Sequence, residues 1–219
     1  MLSKYYRSLF FDQEGIDQYC AFVKSLNLEA PCLELACGQG DLLFAFPKPV
    51  MGLDIDQNML INIKNYPVIC ADMLDLSSIR QSFNTIACFG DSINYLNNSQ
   101  LETFFKQVYS KLNINGVFVF DMHSLDRLTE LDGYIEEGIV DNVCYQWSIE
   151  VVDYYLNHYF VFYGDEYNEY DSVQQCVFDP EFVLGLLKKC GFKVRILTDF
   201  KQEGICEGEK YFYICQKIE

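Results

Sequence analysis

The chain has 219 residues, half of them hydrophobic, enough for one substantial core and too few for two full domains. Sixteen basic residues against 32 acidic ones leave a formal charge of −16. With no basic run, the average surface repels a phosphate backbone, which argues against a nucleic-acid partner. Ten cysteines without one C-x-x-C pair, and two histidines far apart at His123 and His158, predict reduced core thiols and no bound metal. No stretch reaches the ~18 apolar residues of a membrane span, and the N-terminal segment lacks a long apolar core. A soluble cytoplasmic protein with no membrane partner is expected.

In chain order, "EGIDQYCAFVKSLN" (14–27) places Ile16, Tyr19, Cys20, Val23 and Leu26 on one stripe, an amphipathic helix within an N-terminal helical cap over 1–30. Short apolar runs follow at 31–36, 50–54, 67–71, 84–90 and 116–122, each trailed by polar or helix-like sequence. That alternation is the signature of buried parallel strands in a doubly wound α/β sheet. Helical patterns fit 57–65 and 99–112, the second opening with Ser99 and Glu102 at capping-box spacing. Gly116 then restarts the strand. After residue 123 the pattern changes: Val143, Tyr145, Trp147, Ile149 and Val151 alternate with polar residues, and runs at 158–164 and 173–178 follow. These predict an antiparallel insert over 140–178, with the acidic stretch 164–171 as a loop. Asp179, Pro180 and Gly191 bracket a helix, and strands at 193–197 and 210–216 close a final unit over 179–219.

The stretch "LELACGQGD" (33–41) is a glycine-rich turn between the first strand and a short helix over 41–46. A phosphate loop needs G-K-[ST], but Asp41 follows Gly40. A dinucleotide fingerprint counted from Gly38 needs a small residue where Leu43 stands. A pyrophosphate would sit at the positive end of the following helix, where Asp41 already lies, and Glu34 adds a second negative charge. The pocket therefore suits a cation. Asp54 ends the second strand 20 residues after Glu34, at the spacing of a ribose-gripping acid, and Asp72 ends the third, placed for an adenine amine beside Met73. A positively charged nucleoside without phosphate, S-adenosyl-L-methionine, satisfies this pattern.

These motifs, with "VMGLDID", "CADML" and "IACFGDSINYL", resemble the class I S-adenosylmethionine-dependent methyltransferases over roughly residues 30–125 and the closing helix and strands. The resemblance implies a single Rossmann-like domain: a seven-stranded, mostly parallel sheet with a small antiparallel insert after strand five, residues 31–123 forming the cofactor-binding core. It implies that Glu34, Ala36, Gly38, Gly40, Asp54, Ile55, Asp72, Met73, Phe89 and Gly90 line the cofactor site. Ala36 stands where the family usually has its first glycine, the cofactor's amino group using a backbone carbonyl there, and Glu34 lies near that group. Tyr5 and Tyr6 are expected to close over the cofactor.

Methyl transfer is an in-line displacement that chiefly needs alignment and exclusion of water. Where a proton must leave the acceptor, a base is expected at the ends of strands four and five, and His123 and Asp91 are the candidates. The aromatic insert could roof an acceptor pocket or make a homodimer contact. The leading expectation is methylation of a small molecule. Methylation of a protein or tRNA, or a catalytically silent nucleoside-binding module, are the alternatives.

Overall fold

The computed structural model describes residues 2–164 and 167–218. Two helices lead, α1 (Leu2–Phe10) and α2 (Gln13–Ser25). The strands and helices of the core follow as β1 (Cys32–Leu35), β2 (Val50–Asp54), α3 (Gln57–Leu60), β3 (Val68–Cys70), β4 (Phe83–Cys88), α4 (Asn98–Lys111) and β5 (Leu112–His123). A short α5 (Arg127–Glu130) leads into β6 (Ile135–Val140), β7 (Val143–Val152), β8 (Tyr155–Gly164) and β9 (Tyr167–Cys176). The chain closes with α6 (Pro180–Lys189), β10 (Phe192–Thr198), β11 (Gln202–Glu203) and β12 (Lys210–Lys217).

The central sheet runs β11-β10-β12-β5-β4-β1-β2-β3. Strand β1, buried along its whole length, lies parallel between β2 and β4, and the winding reverses there. Ligands in such sheets bind beyond the carboxyl edge at that switch point. Strand β12 is antiparallel to both β5 and β10. The two-residue edge strand β11 makes the sheet eight-stranded where seven were expected. The second sheet, β6-β7-β8-β9, is antiparallel throughout.

Several expectations shift in detail. The helix expected at 57–65 stops at Leu60, because Ile63 turns inward against Gly40 and Pro67 leads into β3. The capping box of α4 is Asn97 with Gln100, two residues before the Ser99 and Glu102 pairing; Glu102 instead meets Lys106 and Lys189. Strand β5 begins at Leu112 rather than at Gly116. Gly116 sits within a register shift between Leu112 and Val117, where a Cβ would lie 2.9 Å from the Asn113 carbonyl. Most of the acidic stretch read as a loop belongs to β9, an edge strand whose charges discourage further pairing. Strand β6, half-exposed and interrupted by Gly138 against the Tyr145 ring, carries too weak an alternation to stand out. Helix α6 has the expected brackets: the Asp179 side chain accepts from Phe182 N–H at 2.8 Å, and Gly191 adopts φ +101°. Helix α1 reaches both α3 and β6, so it spans from the central sheet to the insert.

Candidate functional site

The turn after β1 is wound from left-handed residues: Ala36 (φ +51°), Gly38 (φ +53°) and Gly40 (φ +79°). Gly38 faces open space, and its N–H donates to Asp54 Oδ2 at 2.8 Å. Gly40 plays another part: a Cβ there would lie 2.9 Å from Ile63 Cδ1, so it packs the turn from behind instead of lining a cavity. Ala36 holds a conformation that costs an L-residue roughly 1–2 kcal/mol. Instead of the expected helix over 41–46 there is a 3-10 turn at Leu43–Ala45. No helix dipole therefore opens here, and Asp41 caps nothing; Arg7 of α1 donates to both its oxygens, at 2.8 and 3.1 Å.

Two cavities share the walls Tyr6, Ala36, Gly38 and Ser92. The larger, about 540 Å³, runs past Asp54, Ile55, Asp72 and Met73. Ile55 is 69% exposed, an apolar side chain presented to the cavity. Asp54 accepts from Gly38 and Asp56 N–H groups, and Asp72 from Leu74 N–H, so both carboxylates are oriented by backbone. The smaller cavity, about 240 Å³, holds Glu34, Asp41, Phe89 and Gly90. Glu34 is 3% exposed and its Oε2 has no hydrogen-bond partner. Burial, reinforced by Asp41 and Asp54, pushes its carboxyl up to about 8. A buried carboxyl held this way is stabilised by an incoming cation.

Tyr5 does not take the place expected of it. It is buried against the insert, stacked on Phe162 at 4.6 Å. One residue along the helix turns by about 100°, so Tyr6 faces the cavities that Tyr5 does not.

A third cavity, about 320 Å³, meets the second at Tyr6, Phe10 and Gly90. Its walls are aromatic, with Trp147 stacked on Phe160 at 5.6 Å, and its polar side carries Asp91, His123, Arg127, His158 and Gln175. Asp91 and His123 are thus brought together, with Asp91 Oδ1 3.5 Å from His123 Nδ1. Sequence reasoning missed their companion Lys210, whose Nζ bonds Asp91 Oδ2 at 2.5 Å and lies 3.4 Å from Asp121 Oδ2. Asp121 also accepts from Tyr19 OH at 2.7 Å. Burial raises Asp121 to about 6 despite Lys210, with Asp91 adding to the rise. Burial acts against the charge on Asp91, but Lys210 and His123 hold it below the ordinary carboxylate value. Burial lowers His123, against the pull of Asp91. An acid just after β4 and another near the end of the neighbouring apolar strand β5 were the available signal that a cation had to reach them.

A family model described as a methyltransferase domain matches residues 32–116. The chain is 28% identical to "Putative methyltransferase YqeM" of Bacillus subtilis, the match covering 92% of this chain and 90% of that protein. Among solved structures it is similar to an S-adenosylmethionine-dependent methyltransferase from Clostridium acetobutylicum (TM-score 0.80, 23% identity, covering 100% of this chain and 96% of the other). It is also similar to the sugar N-methyltransferase KedS8 from a Streptoalloteichus species (TM-score 0.78, 21% identity, 100% and 93% covered). At these identities the two structures establish the shared fold.

Proposed function

From the premise that the chain carries a class I S-adenosylmethionine-dependent methyltransferase domain, we propose that it methylates a small molecule lodged in the aromatic cavity, His123 and Asp91 taking up the acceptor's proton. When bound, S-adenosylmethionine supplies a methyl group on a positively charged sulfur. The residues present fit it. Asp54 is oriented for ribose hydroxyls, Asp72 for the adenine amine, and Ile55 and Met73 offer apolar surface to the ring. The unpartnered oxygen of Glu34 suits the ammonium of the methionine end. Phe89 and Gly90 wall that end, and Tyr6 covers it.

The observation that carries this reading is the junction of the cavities at Tyr6 and Gly90. The smaller acidic cavity and the aromatic cavity share Tyr6, Phe10 and Gly90 as walls, so an acceptor in one would lie beside a methyl group held in the other. Amines are the first acceptors to test. An ammonium suits the Trp147 and Phe160 faces and must shed a proton before it attacks, and a similar fold serves a sugar N-methyltransferase.

Calorimetry with S-adenosylmethionine and its demethylated product tests the cofactor cavity, and transfer of labelled methyl into a panel of small amines tests the acceptor. His123→Ala should cut turnover about 100-fold or more with cofactor affinity unchanged. Tighter binding of NADH than of S-adenosylmethionine would overturn the assignment. Binding without transfer to any amine, alcohol or thiol would leave a silent module.

A further inference from the structure

The indole N–H of Trp147 can only donate, and it lies 3.2 Å from Nδ1 of His158. That nitrogen must therefore accept, which places the proton of neutral His158 on Nε2. Nε2 in turn lies 3.0 Å from Oε1 of Gln175, and an N–H needs an oxygen there, so the amide cannot be turned the other way. The same oxygen lies 3.1 Å from Nε2 of His123. A carbonyl oxygen accepts twice, so His123 donates to it as well. Each link leaves the next one arrangement.

We propose that Trp147, His158 and Gln175 are positioning residues that fix neutral His123 as its Nε2–H tautomer, leaving Nδ1 bare to take the acceptor's proton. The proposal rests on the role given to His123 above. His123 Nδ1 and Asp91 Oδ1 are both buried without a hydrogen-bond partner, 3.5 Å apart. Two acceptors face each other across a site that lacks only a proton. As the acceptor's X–H bond breaks, its electron pair stays on X and the proton bonds to Nδ1. The imidazolium so formed then faces Asp91 in a charge-assisted contact. The other groups facing His123 are Lys210 and Arg127, both of which oppose its charge, Gln175, and His158 across that amide. Burial lowers His158 to about 4, so it stays neutral and its Nε2–H remains a donor throughout the neutral range. The chain thus runs from the insert, through β7, β8 and β9, to the end of β5.

The test reads the two ring nitrogens directly. The chain has two histidines, so protein labelled with nitrogen-15 histidine gives two imidazole patterns in a two-bond proton–nitrogen spectrum, assigned with a His158→Phe variant. At pH 7, without cofactor or acceptor, both should show the Nε2–H tautomer alone. An Nδ1–H tautomer at either ring in the unaltered protein overturns the proposal. Trp147→Phe, checked for fold by circular dichroism, should replace the single tautomer of His158 with a mixture and broaden or shift the His123 pattern. Unchanged patterns in that variant also overturn it, and should the variant not fold, the unaltered protein's spectrum still decides. Because the spectra need neither cofactor nor turnover, a failed methyl-transfer assay would count against the proposed function and leave the tautomer result standing.

Discussion

Glu34 is a liability in the free protein that, on the proposed function, becomes an asset once the cofactor's ammonium pairs with it. Its folded-state value of about 8 lies above the ordinary 4.5, so the folded chain prefers it protonated. The resulting stability is fully present below pH 4.5 and is lost as the pH rises towards 8. Over that window the loss is on the order of 4 kcal/mol for a shift of this size. Glu34→Gln removes the ionisation and should flatten that limb of the curve of melting temperature against pH. It should also weaken S-adenosylmethionine binding by tenfold or more, because the amide cannot pair with an ammonium. Parallel melting curves for the two proteins between pH 5 and 8 would refute the account. The acid was legible in the sequence because a carboxylate inside a buried strand asks for a partner. Its missing partner could be seen only once the cavity around it was in view.

Helix α1 divides its labour between adjacent residues, and that division was not written in the sequence. "KYYR" offers two tyrosines of the same chemistry, and only the partners of the helix decide which packs and which faces the cavities. Tyr5 joins Phe160, Phe162 and Val140 in a small core on the insert. Tyr6 remains 37% exposed at the mouth of all three cavities. Tyr5→Ala should cost roughly 3 kcal/mol of stability in urea unfolding, as large-to-small changes in cores do. Tyr6→Ala should cost under about 1 kcal/mol by the same measure while raising the dissociation constant for S-adenosylmethionine severalfold in calorimetry. The reverse pattern would place the lid on the other tyrosine. By contrast, β1, β2 and β4 were legible to within two residues at each end, because strands covered on both faces are written as unbroken apolar runs, whereas the start of β5 was not. The insert was legible in β7, where alternation is strong, and lost in β6 and the start of β9, where edge exposure lets charge replace pattern.

At the scale of the whole molecule, one buried ionic cluster ties the ends of the chain to its middle. Tyr19 comes from α2, Asp91 follows β4, Asp121 and His123 end β5, and Lys210 opens β12. Contacts separated by as many as 191 residues in the chain leave no local trace, so the strand-end acids were readable and their lysine was not. Burial works against the charge on Lys210, yet Asp91, Tyr19 and Asp121 hold it well above the ordinary lysine value, so it remains charged at any working pH. Removing it should therefore strand two acids instead of one. In Lys210→Met the folded-state value of Asp121, already raised, must rise further, and that of Asp91 must rise from below its ordinary value, because desolvation persists and the compensating charge is gone. The sign follows: the variant's deficit is small near pH 4, where its raised acids are mostly protonated when folded and about half protonated when unfolded, and widens as the pH rises through the new folded values. The deficit should reach roughly 3 kcal/mol near pH 8, the cost of leaving buried charge unpaired. Urea unfolding of both proteins at pH 4 and pH 8 measures it. A deficit of equal size at the two pH values would mean that Lys210 acts through packing of its hydrocarbon stem. Adding Asp121→Asn to Lys210→Met should restore part of the loss at pH 8 and none at pH 4, since the second change removes one of the charges the first had stranded.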